Sequence, residues 1–547
     1  MSESGGGIVL LQGPPGTGKT TTILGVLSAL LALPRPRGLA KPARPTASVK
    51  KPNLGGSTLP SLTPSPSKTP PTRHRRLLLV APSNAALDEI IRRLLSEGVI
   101  DPTTGCTRLL HNPEASHASA TSRIVRLGDS TNFSTAAMNV SLERLVNARK
   151  AANAGPNHGT EAIRQSILRE AEIVCATCAG AGMELLVEFA KVERRAANGL
   201  GAFDAVLCDE ATQATEPALL IALSHHAPLA VLVGDDQQLP PTVRSDAAKH
   251  AGLHVSTFER LNGRGGHALV HCYPLTDQYR MHPAISAFPS QYFYQSKLVD
   301  RVAASSRPAP EGFPWPQPAQ PVCVVRVHDG VEENNGGHRQ KRKRQEGASA
   351  ALDRAVSPLN DPADIGSLSN TAEARVVAAC VRRLLASKVH GGAGAALRPG
   401  DIGIVTPYRR QVDVIKSELA AAISREHALE IEVCTVDSFQ GREKEAILVS
   451  CVRAQEAGAA GARQQRAEIG FLADGRRMNV ALTRARRGLI VACHPHTLRA
   501  AALQSGSSGN GGQQPAQQRG DGAQCLAALL DSAEKRGLAL DASAVVA

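Results

Sequence analysis

The sequence predicts an α/β protein of two successive lobes, each a parallel sheet covered by helices on both faces. Three observations carry this reading. Short, near-continuous apolar runs recur along the chain, helix-compatible segments separate them, and they fall into two successive sets. A strand buried on both faces needs apolar residues at every position, and parallel neighbours need crossover helices to join them.

The first set of predicted strands is 8–12, 77–81, 173–176, 205–208 and 229–233, and the second is 322–327, 402–405, 447–451 and 489–492. Each run stops at polar or turn residues. The first lobe is expected over 1–268 and the second over 269–500. Residues 501–547 read as a Gly/Gln-rich linker, 505–522, followed by a short helix at 523–536. Within the first lobe, 34–72 is rich in Pro, Ser and basic residues without apolar period, and is expected to be disordered. A second insertion, roughly 96–169, carries polar, helix-compatible stretches at 142–152 and 161–171. In the second lobe, 331–369 is Gly/Asn/charge-rich and expected as loop.

A chain of 547 residues holds enough surface for two to four domains with their own cores. No apolar run reaches the roughly 18–20 residues of a membrane span. The opening MSESGGGIVLLQ lacks a basic stretch before its apolar one, so it does not read as a signal peptide. The 11 cysteines are scattered, with Cys208, Cys323, Cys451 and Cys493 inside apolar strand runs, which suits a reducing compartment. Cys175 and Cys178 form the one C-x-x-C, with no second pair at zinc-ligand spacing, and read as strand cysteines before they read as a metal or redox site.

The net charge of +13 suggests an anionic partner, but its distribution weakens that inference. Ten Lys/Arg and no Asp/Glu lie between Pro34 and Arg76, and Arg339 with Lys341, Arg342, Lys343 and Arg344 adds five. Subtracting those fifteen from +13 leaves −2 for the rest of the chain. The basic excess therefore sits in two loop-like stretches and does not mark a binding groove.

The chemistry-bearing motif is GPPGTGKT, residues 13–20, which fits G-x-x-x-x-G-K-[ST] in full. It follows a predicted strand and opens an apolar helix predicted over 19–33. Its glycines let backbone N–H groups converge on phosphate oxygens at a helix N-terminus. Lys19 would reach the β- and γ-phosphates, and the Thr20 hydroxyl would ligate Mg²⁺. Asp209 and Glu210 end the strand AVLC, where one carboxylate can hold the metal and the next can orient or deprotonate water. Alone, an acidic pair after a strand is as readily a solvated strand end; beside a complete phosphate loop it reads as catalytic. A third strand ends in GDDQQLPP, in which the Gln238 amide can sense a γ-phosphate, although the segment taken alone reads as a turn.

Eight segments then appear in a fixed order: GPPGTGKT, APSNAALDEI (81–90), DEATQATEP (209–217), GDDQQLPPTV (234–243), QYRMHP (278–283), VTPYRRQV (405–412), TVDSFQGREKE (435–445) and NVALTRAR (479–486). Together they resemble the motif series of superfamily 1B helicases, in the branch holding senataxin and the nonsense-decay helicase, over roughly 6–498. QLPPTV and SFQGREKE lean toward the senataxin side. The resemblance implies two tandem RecA-like lobes with a nucleotide cleft between them, ATP and Mg²⁺ as cofactors, and ATP hydrolysis coupled to movement along a strand. It implies that Gly13, Pro14, Pro15, Gly16, Thr17, Gly18, Lys19, Thr20 and Thr21 bind the phosphates and that Thr20 and Asp209 hold the metal. Asp209 and Glu210 are then the metal and water carboxylates and Gln238 the γ-phosphate sensor. Tyr279 is similar to the tyrosine that stacks on adenine, and Arg280 and Arg484 to the arginines that reach the phosphates. By residue type alone each of these arginines is equally a surface salt bridge. Gln440, Gly441 and Glu443 lie at the nucleotide–nucleic-acid junction, and Ser83, Asn84, Thr177, Thr406 and Thr435 touch the strand backbone.

The composition agrees with sequence-tolerant binding. Phe, Trp and Tyr number only 9, 1 and 5 and are not interleaved with basic residues, so no stacking platform is evident. Contacts from Ser, Thr, Asn and backbone N–H position a strand without reading its bases. One departure from the resemblance concerns the start of the chain. Relatives carry, upstream, a glutamine that reads adenine and a small β-barrel. Here the phosphate loop begins twelve residues from Met1, so neither fits, and the expectation is either a piece of a longer protein or a reduced enzyme with weak base selectivity and weak unwinding. The insertion at 96–169 stands where relatives carry a helical accessory element.

The function expected is a 5′→3′ helicase or translocase on RNA, DNA or an RNA–DNA hybrid. Two alternatives are an ATP-driven ribonucleoprotein remodeller that leaves duplexes intact and a non-motor nucleic-acid-binding scaffold. The expected partner is single-stranded nucleic acid or an RNA–DNA hybrid, with no membrane, and the chain is expected to act as a monomer. The run Lys341–Arg344 suggests an import receptor and a nuclear location, with the cytoplasm as the alternative. The other two readings of the same run are a solvated charge cluster and, behind it, a phosphate grip.

Overall fold

The computed structural model describes residues 7–33, 75–101, 104–111, 122–152, 159–196, 201–263, 270–334, 367–386, 396–455, 474–506 and 522–546. The Pro-rich insert, the basic run Lys341–Arg344 and most of the linker at 505–522 lie outside the described residues.

Two parallel α/β sheets organise these residues. In the first, β1 (Gly7–Gln12), β2 (Leu77–Ala81), β3 (Ile124–Arg126), β4 (Ile173–Thr177), β5 (Ala205–Cys208), β6 (Leu229–Gly234) and β7 (Val270–Pro274) stand in the order β3-β4-β2-β5-β6-β1-β7. β2 pairs in parallel with β4 and β5, β4 with β3, and β5 with β6. All five residues of β2 are buried, as a central strand covered on both faces requires.

The second sheet holds β8 (Val322–Arg326), β9 (Ile402–Thr406), β10 (Glu432–Thr435), β11 (Lys444–Ser450), β12 (Ala485–Cys493) and β13 (Ala539–Asp541), in the order β10-β9-β11-β12-β8-β13, and every pairing is parallel. Its strands show why they read as continuous apolar runs. Val322, Val324, Ile447, Val449, Leu489 and Val491 point to one core, and Cys323, Val325, Ala446, Leu448, Ile490 and Ala492 point to the other.

The described residues divide into two compact units, drawn from Met1–Val9, Thr20–Leu232 and Gly266–His271 on one hand, and from Leu10–Lys19, Val233–Gly265 and Cys272–Ala547 on the other. In the first unit, α1 (Lys19–Ala32, of which Lys19 belongs to the second unit) follows the phosphate loop. α2 (Asn84–Glu97) follows β2 and buries Leu87, Ile90, Ile91 and Leu94, the spacing of a single helical face. The insertion forms α3 (Leu142–Ala152) and α4 (Thr160–Glu170) close to the expected bounds. It also supplies β3, which pairs with β4, where the sequence suggests helices only. Three residues, IVR, are too few to show a strand period.

In the second unit, α5 (Pro283–Phe293) and α7 (Gly475–Leu482) cover one face of the sheet with α8 (Gly522–Lys535), and α6 (Thr371–Leu385) covers the other. The predicted C-terminal helix is thus α8, and its Leu526, Leu529 and Leu530 are core residues. Beyond it the chain returns as β13 beside β8, a strand the sequence reading missed because ALD carries no apolar run. β10 was also missed: EVCT, an edge strand, has only two apolar residues, too short a run to read as a buried strand.

Candidate functional site

The phosphate loop is a tight turn built by its own backbone. Gly13 N–H donates to the Gly234 carbonyl at the end of β6 (2.8 Å). Thr17 donates to the Pro14 carbonyl from both its amide (3.3 Å) and its hydroxyl (2.7 Å). Gly16 and Gly18 have φ of +75° and +78°, a region side chains rarely enter. A Cβ on Gly16 would also lie 2.7 Å from Cβ of Arg280. The loop therefore presents backbone at the start of α1, where a Cβ on Gly13 or Gly16 would collide with Lys19 or Arg280, and this fits a phosphate chain. The Lys19 ammonium donates to the Gly13 carbonyl (3.0 Å), an acceptor it can exchange for phosphate oxygen.

In the same unit, residues far along the chain close around this loop. The Tyr279 amide donates to the Gly16 carbonyl (2.8 Å), which holds the Tyr279 ring near the loop while leaving it 54% exposed. A ring that exposed is free to stack on a base. Arg280 pairs with Glu443 and donates to the Thr483 carbonyl (3.1 Å). Burial pushes the Glu443 carboxyl up, but Arg280 and Arg486 outweigh it and hold the group below its ordinary value. Gly441 has φ of +78°, and the Gln440 side-chain amide nitrogen has no hydrogen-bond partner among the described residues.

Gln238 and Arg484 meet directly. Arg484 is 2% exposed; its Nε donates to the Val480 carbonyl (2.9 Å) and its Nη2 to Oε1 of Gln238 (3.0 Å). The other end of the Gln238 amide donates to the Asp235 carboxylate (2.7 Å). Asp235 is fully buried, and burial pushes its carboxyl up to about 6 against the opposing pull of Lys19. It also accepts from the Tyr294 hydroxyl (2.7 Å), which in turn accepts from the Asn479 amide (2.6 Å). Sequence reasoning missed Asp235, Tyr294 and Asn479. The pair Asp235–Asp236 does not reveal which carboxylate is buried, and Tyr294 in QYFYQ reads as a core aromatic.

In the first unit, the carboxyl ends of β2, β4 and β5 carry the remaining predicted groups, the end at which open parallel sheets bind ligands. The Asp209 amide donates to the Val80 carbonyl (2.9 Å), and the Asp209 side chain accepts from the Glu210 amide (2.9 Å). Glu210 has φ of 47° and ψ of 40°, a left-handed conformation rare for a glutamate. Its carboxylate accepts from Gln213 (2.9 Å). Ser83 caps α2 by accepting from the Ala86 amide (3.2 Å), and Thr177, paired in register with Ala81, accepts from the Gly180 amide (3.0 Å). Asn84 accepts from Arg126 (2.6 Å), a buried arginine from the insertion that also faces Asp88 and stacks on Phe133. That bond leaves the Asn84 amide nitrogen turned away from Arg126, available as a donor.

The second unit repeats the pattern: Thr406 and Thr435 are register partners at the carboxyl ends of β9 and β10. They differ in exposure. Thr435 bonds Ser438 (3.0 Å) near the surface, whereas Thr406 is fully buried and its hydroxyl finds no hydrogen-bond partner among the described residues. Burial removes the Thr406 side chain from the surface a strand would touch.

A base held by stacking alone is not identified, because every base has a π-face. If the chain hydrolyses ATP, GTP and CTP are therefore expected to turn over within about tenfold of it, since a tenfold preference corresponds to only about 1.4 kcal/mol. A much stronger preference for ATP in side-by-side kcat/KM measurements would mean that a second residue reads the base.

Such a loop at a strand–helix junction defines a P-loop nucleoside-triphosphate-binding protein. Within that class the comparisons are specific. Two AAA-domain family models match, one over residues 1–161 and 156–246 and the other over 253–496. The "Probable helicase MAGATAMA 3" of Arabidopsis thaliana is 33% identical over 538 residues, covering 90% of this chain and 57% of that protein. The "ATP-dependent helicase upf1" of Schizosaccharomyces pombe is 32% identical over 504 residues, covering 90% of this chain and 44% of that protein. The "Regulator of nonsense transcripts 1 homolog" of Drosophila melanogaster is 32% identical, covering 89% and 33%. The chain belongs to the superfamily 1 helicases, in the branch of senataxin and the regulators of nonsense transcripts. It spans between a third and three fifths of the length of these three relatives.

Proposed function

We infer that this chain is the ATP-driven motor of a nucleic-acid helicase or translocase, hydrolysing ATP when a single strand or an RNA–DNA hybrid is bound. The observation that carries this reading is the bond between Gln238 and Arg484 beside a complete phosphate loop. A γ-phosphate arriving near Gln238 competes for the guanidinium that Gln238 holds. The presence of triphosphate and the position of α7, whose Val480 carbonyl also holds Arg484, thus become linked. ATP with Mg²⁺ supplies the transferable phosphoryl group and the cation that offsets its charge.

The chain's own residues supply the rest. Backbone N–H groups of residues 16–20 and the Lys19 ammonium bind phosphate, Tyr279 stacks on the base, and Thr20 and Asp209 are the groups suited to hold the metal. Glu210 takes the proton from water, while Arg280 and Arg484 neutralise developing charge. Ser83, Asn84, Thr177 and Thr435 meet phosphate and sugar, which gives grip without base reading. The polarity assigned, 5′→3′, follows the family.

The test is ATP turnover of the 547-residue chain with and without single-stranded RNA and DNA, run beside a strand-displacement assay on duplexes with a 5′ overhang. Turnover is expected to rise at least about tenfold with either strand, a change of about 1.4 kcal/mol in barrier. Strand-independent turnover removes the motor reading. Stimulated turnover without displacement restricts it to translocation or protein displacement.

A further inference from the structure

Tyr294 lies outside every recognised motif, yet its hydroxyl stands at the centre of the polar core beneath Gln238. It is 6% exposed, donates to Asp235 (2.7 Å) and accepts from Asn479 (2.6 Å). Asp235 also receives the Gln238 side-chain amide (2.7 Å) and the Gln237 backbone amide (3.1 Å). All three partners are donors, so they hold the ionised carboxylate. On the other side, the Asn479 amide nitrogen also donates to the Gln237 carbonyl (2.8 Å). That carbonyl can only accept, which fixes which way the Asn479 amide faces. It leaves Asn479 Oδ1 buried with no hydrogen-bond partner among the described residues, an uncommon cost for a buried polar atom.

The backbone also singles out this position. Tyr294 ends α5, and the next two residues, Gln295 and Ser296, have φ of 55° and 59°. Two successive non-glycine residues in the left-handed region persist only where surrounding contacts over-determine them. Here the Ser296 amide closes the turn on the Ser290 carbonyl (2.8 Å) and fixes where the tyrosine projects.

We propose that Tyr294 is a positioning residue for ATP hydrolysis: its hydroxyl ties Asp235 to Asn479 and so keeps the Gln238 amide facing Arg484. The chain of bonds runs Asn479–Tyr294–Asp235–Gln238–Arg484 and returns to Asn479 through α7, because Val480, the next residue, accepts from Arg484. The ring as seen has Arg484 on Gln238; under the proposed function a second arrangement follows, with Arg484 released to phosphate. Tyr294 sets the geometry of the first and limits how far Gln238 turns in the second.

The inference rests on the proposed function, so the wild-type chain is measured beside the variant. Tyr294→Phe keeps the ring and removes only the hydroxyl. Strand-stimulated kcat is expected to fall about tenfold while KM for ATP and the affinity for a fluorescent nucleotide analogue stay within about twofold, an effect near 1.4 kcal/mol on the barrier alone. A second readout separates positioning from packing. The charged and titratable groups acting on Asp235 are Lys19, Asp236, Tyr294 and, from α7, Arg476. Loss of the Tyr294 donor removes an interaction that favours the ionised carboxylate, so the acidic limb of kcat moves to higher pH. The melting temperature carries the same sign without turnover. The deficit of Y294F is largest above pH 7 and shrinks as pH falls through about 6, where Asp235 takes up its proton in the wild type. An unchanged kcat, or a lower melting temperature with no pH dependence in the deficit, overturns the proposal. A wild-type chain without stimulated turnover instead removes the proposed function, and the melting series still decides whether Tyr294 acts on Asp235.

Discussion

Glu210→Gln is expected to lower strand-stimulated ATP turnover by about 10³ or more, roughly 4 kcal/mol of barrier, while nucleotide still binds. The substitution keeps the shape of the side chain and removes its charge and basicity. Its structural cost is small: Glu210 accepts one hydrogen bond from Gln213 (2.9 Å), and the Gln carbonyl can accept the same bond. The left-handed backbone at φ 47° and ψ 40° is as open to glutamine as to glutamate, so the substitution adds no backbone strain of its own. Lys19→Ala is expected to abolish turnover as well, but with a different signature. Lys19 sits against the phosphate loop itself (3.0 Å to the Gly13 carbonyl), so its loss weakens nucleotide binding in addition to catalysis. The pair is read by measuring kcat and nucleotide dissociation constants for both variants. Wild-type turnover in E210Q would take Glu210 out of the mechanism and leave the acidic pair as a strand end.

The lobes and the phosphate loop were legible because each is written in consecutive residues. LLLVA at 77–81 is apolar at every position, and the structure buries all five. GPPGTGKT needs no partner elsewhere to be recognised, and of its two φ > 0 glycines Gly18 stands at a position the motif fixes while Gly16 stands at one it leaves open. What was not legible depends on residues that meet only after folding. Asp235, Tyr294 and Asn479 span 245 positions, so no window of sequence contains the ring they form. Thr406 shows the converse: its motif is clear, but burial at the end of β9 decides whether its hydroxyl reaches a surface. Arg126 lies in an insertion whose composition suggests only polar helices, and its bond to Asn84 (2.6 Å) appears once β3 joins the sheet.

Arg484→Ala is expected to depress turnover by about 10³, within the range measured for arginines that stabilise the transferred phosphoryl group, with little change in nucleotide affinity. In the arrangement seen, Arg484 is 2% exposed and committed to Gln238 (3.0 Å) and the Val480 carbonyl (2.9 Å). An arginine held away from bulk water by acceptors weaker than a phosphate is poised to move to the stronger anion when one arrives. Charge on the transferred group is greatest in the transition state, so the guanidinium contributes more there than in the bound ground state, and the loss appears in kcat. Removing it also leaves Gln238 Oε1 buried without its donor, at a cost of about 1–3 kcal/mol to stability. A modest fall in melting temperature therefore accompanies the kinetic defect and must be measured with it. Arg484→Lys distinguishes the two effects. It restores a positive charge and a donor for Gln238, and with them most of the stability, but not the planar fork that bridges two acceptors. Turnover is therefore expected to remain at least about tenfold below wild type, about 1.4 kcal/mol. The assignment fails if R484A turns over at the wild-type rate while nucleotide affinity drops, because Arg484 would then serve binding and not the reaction.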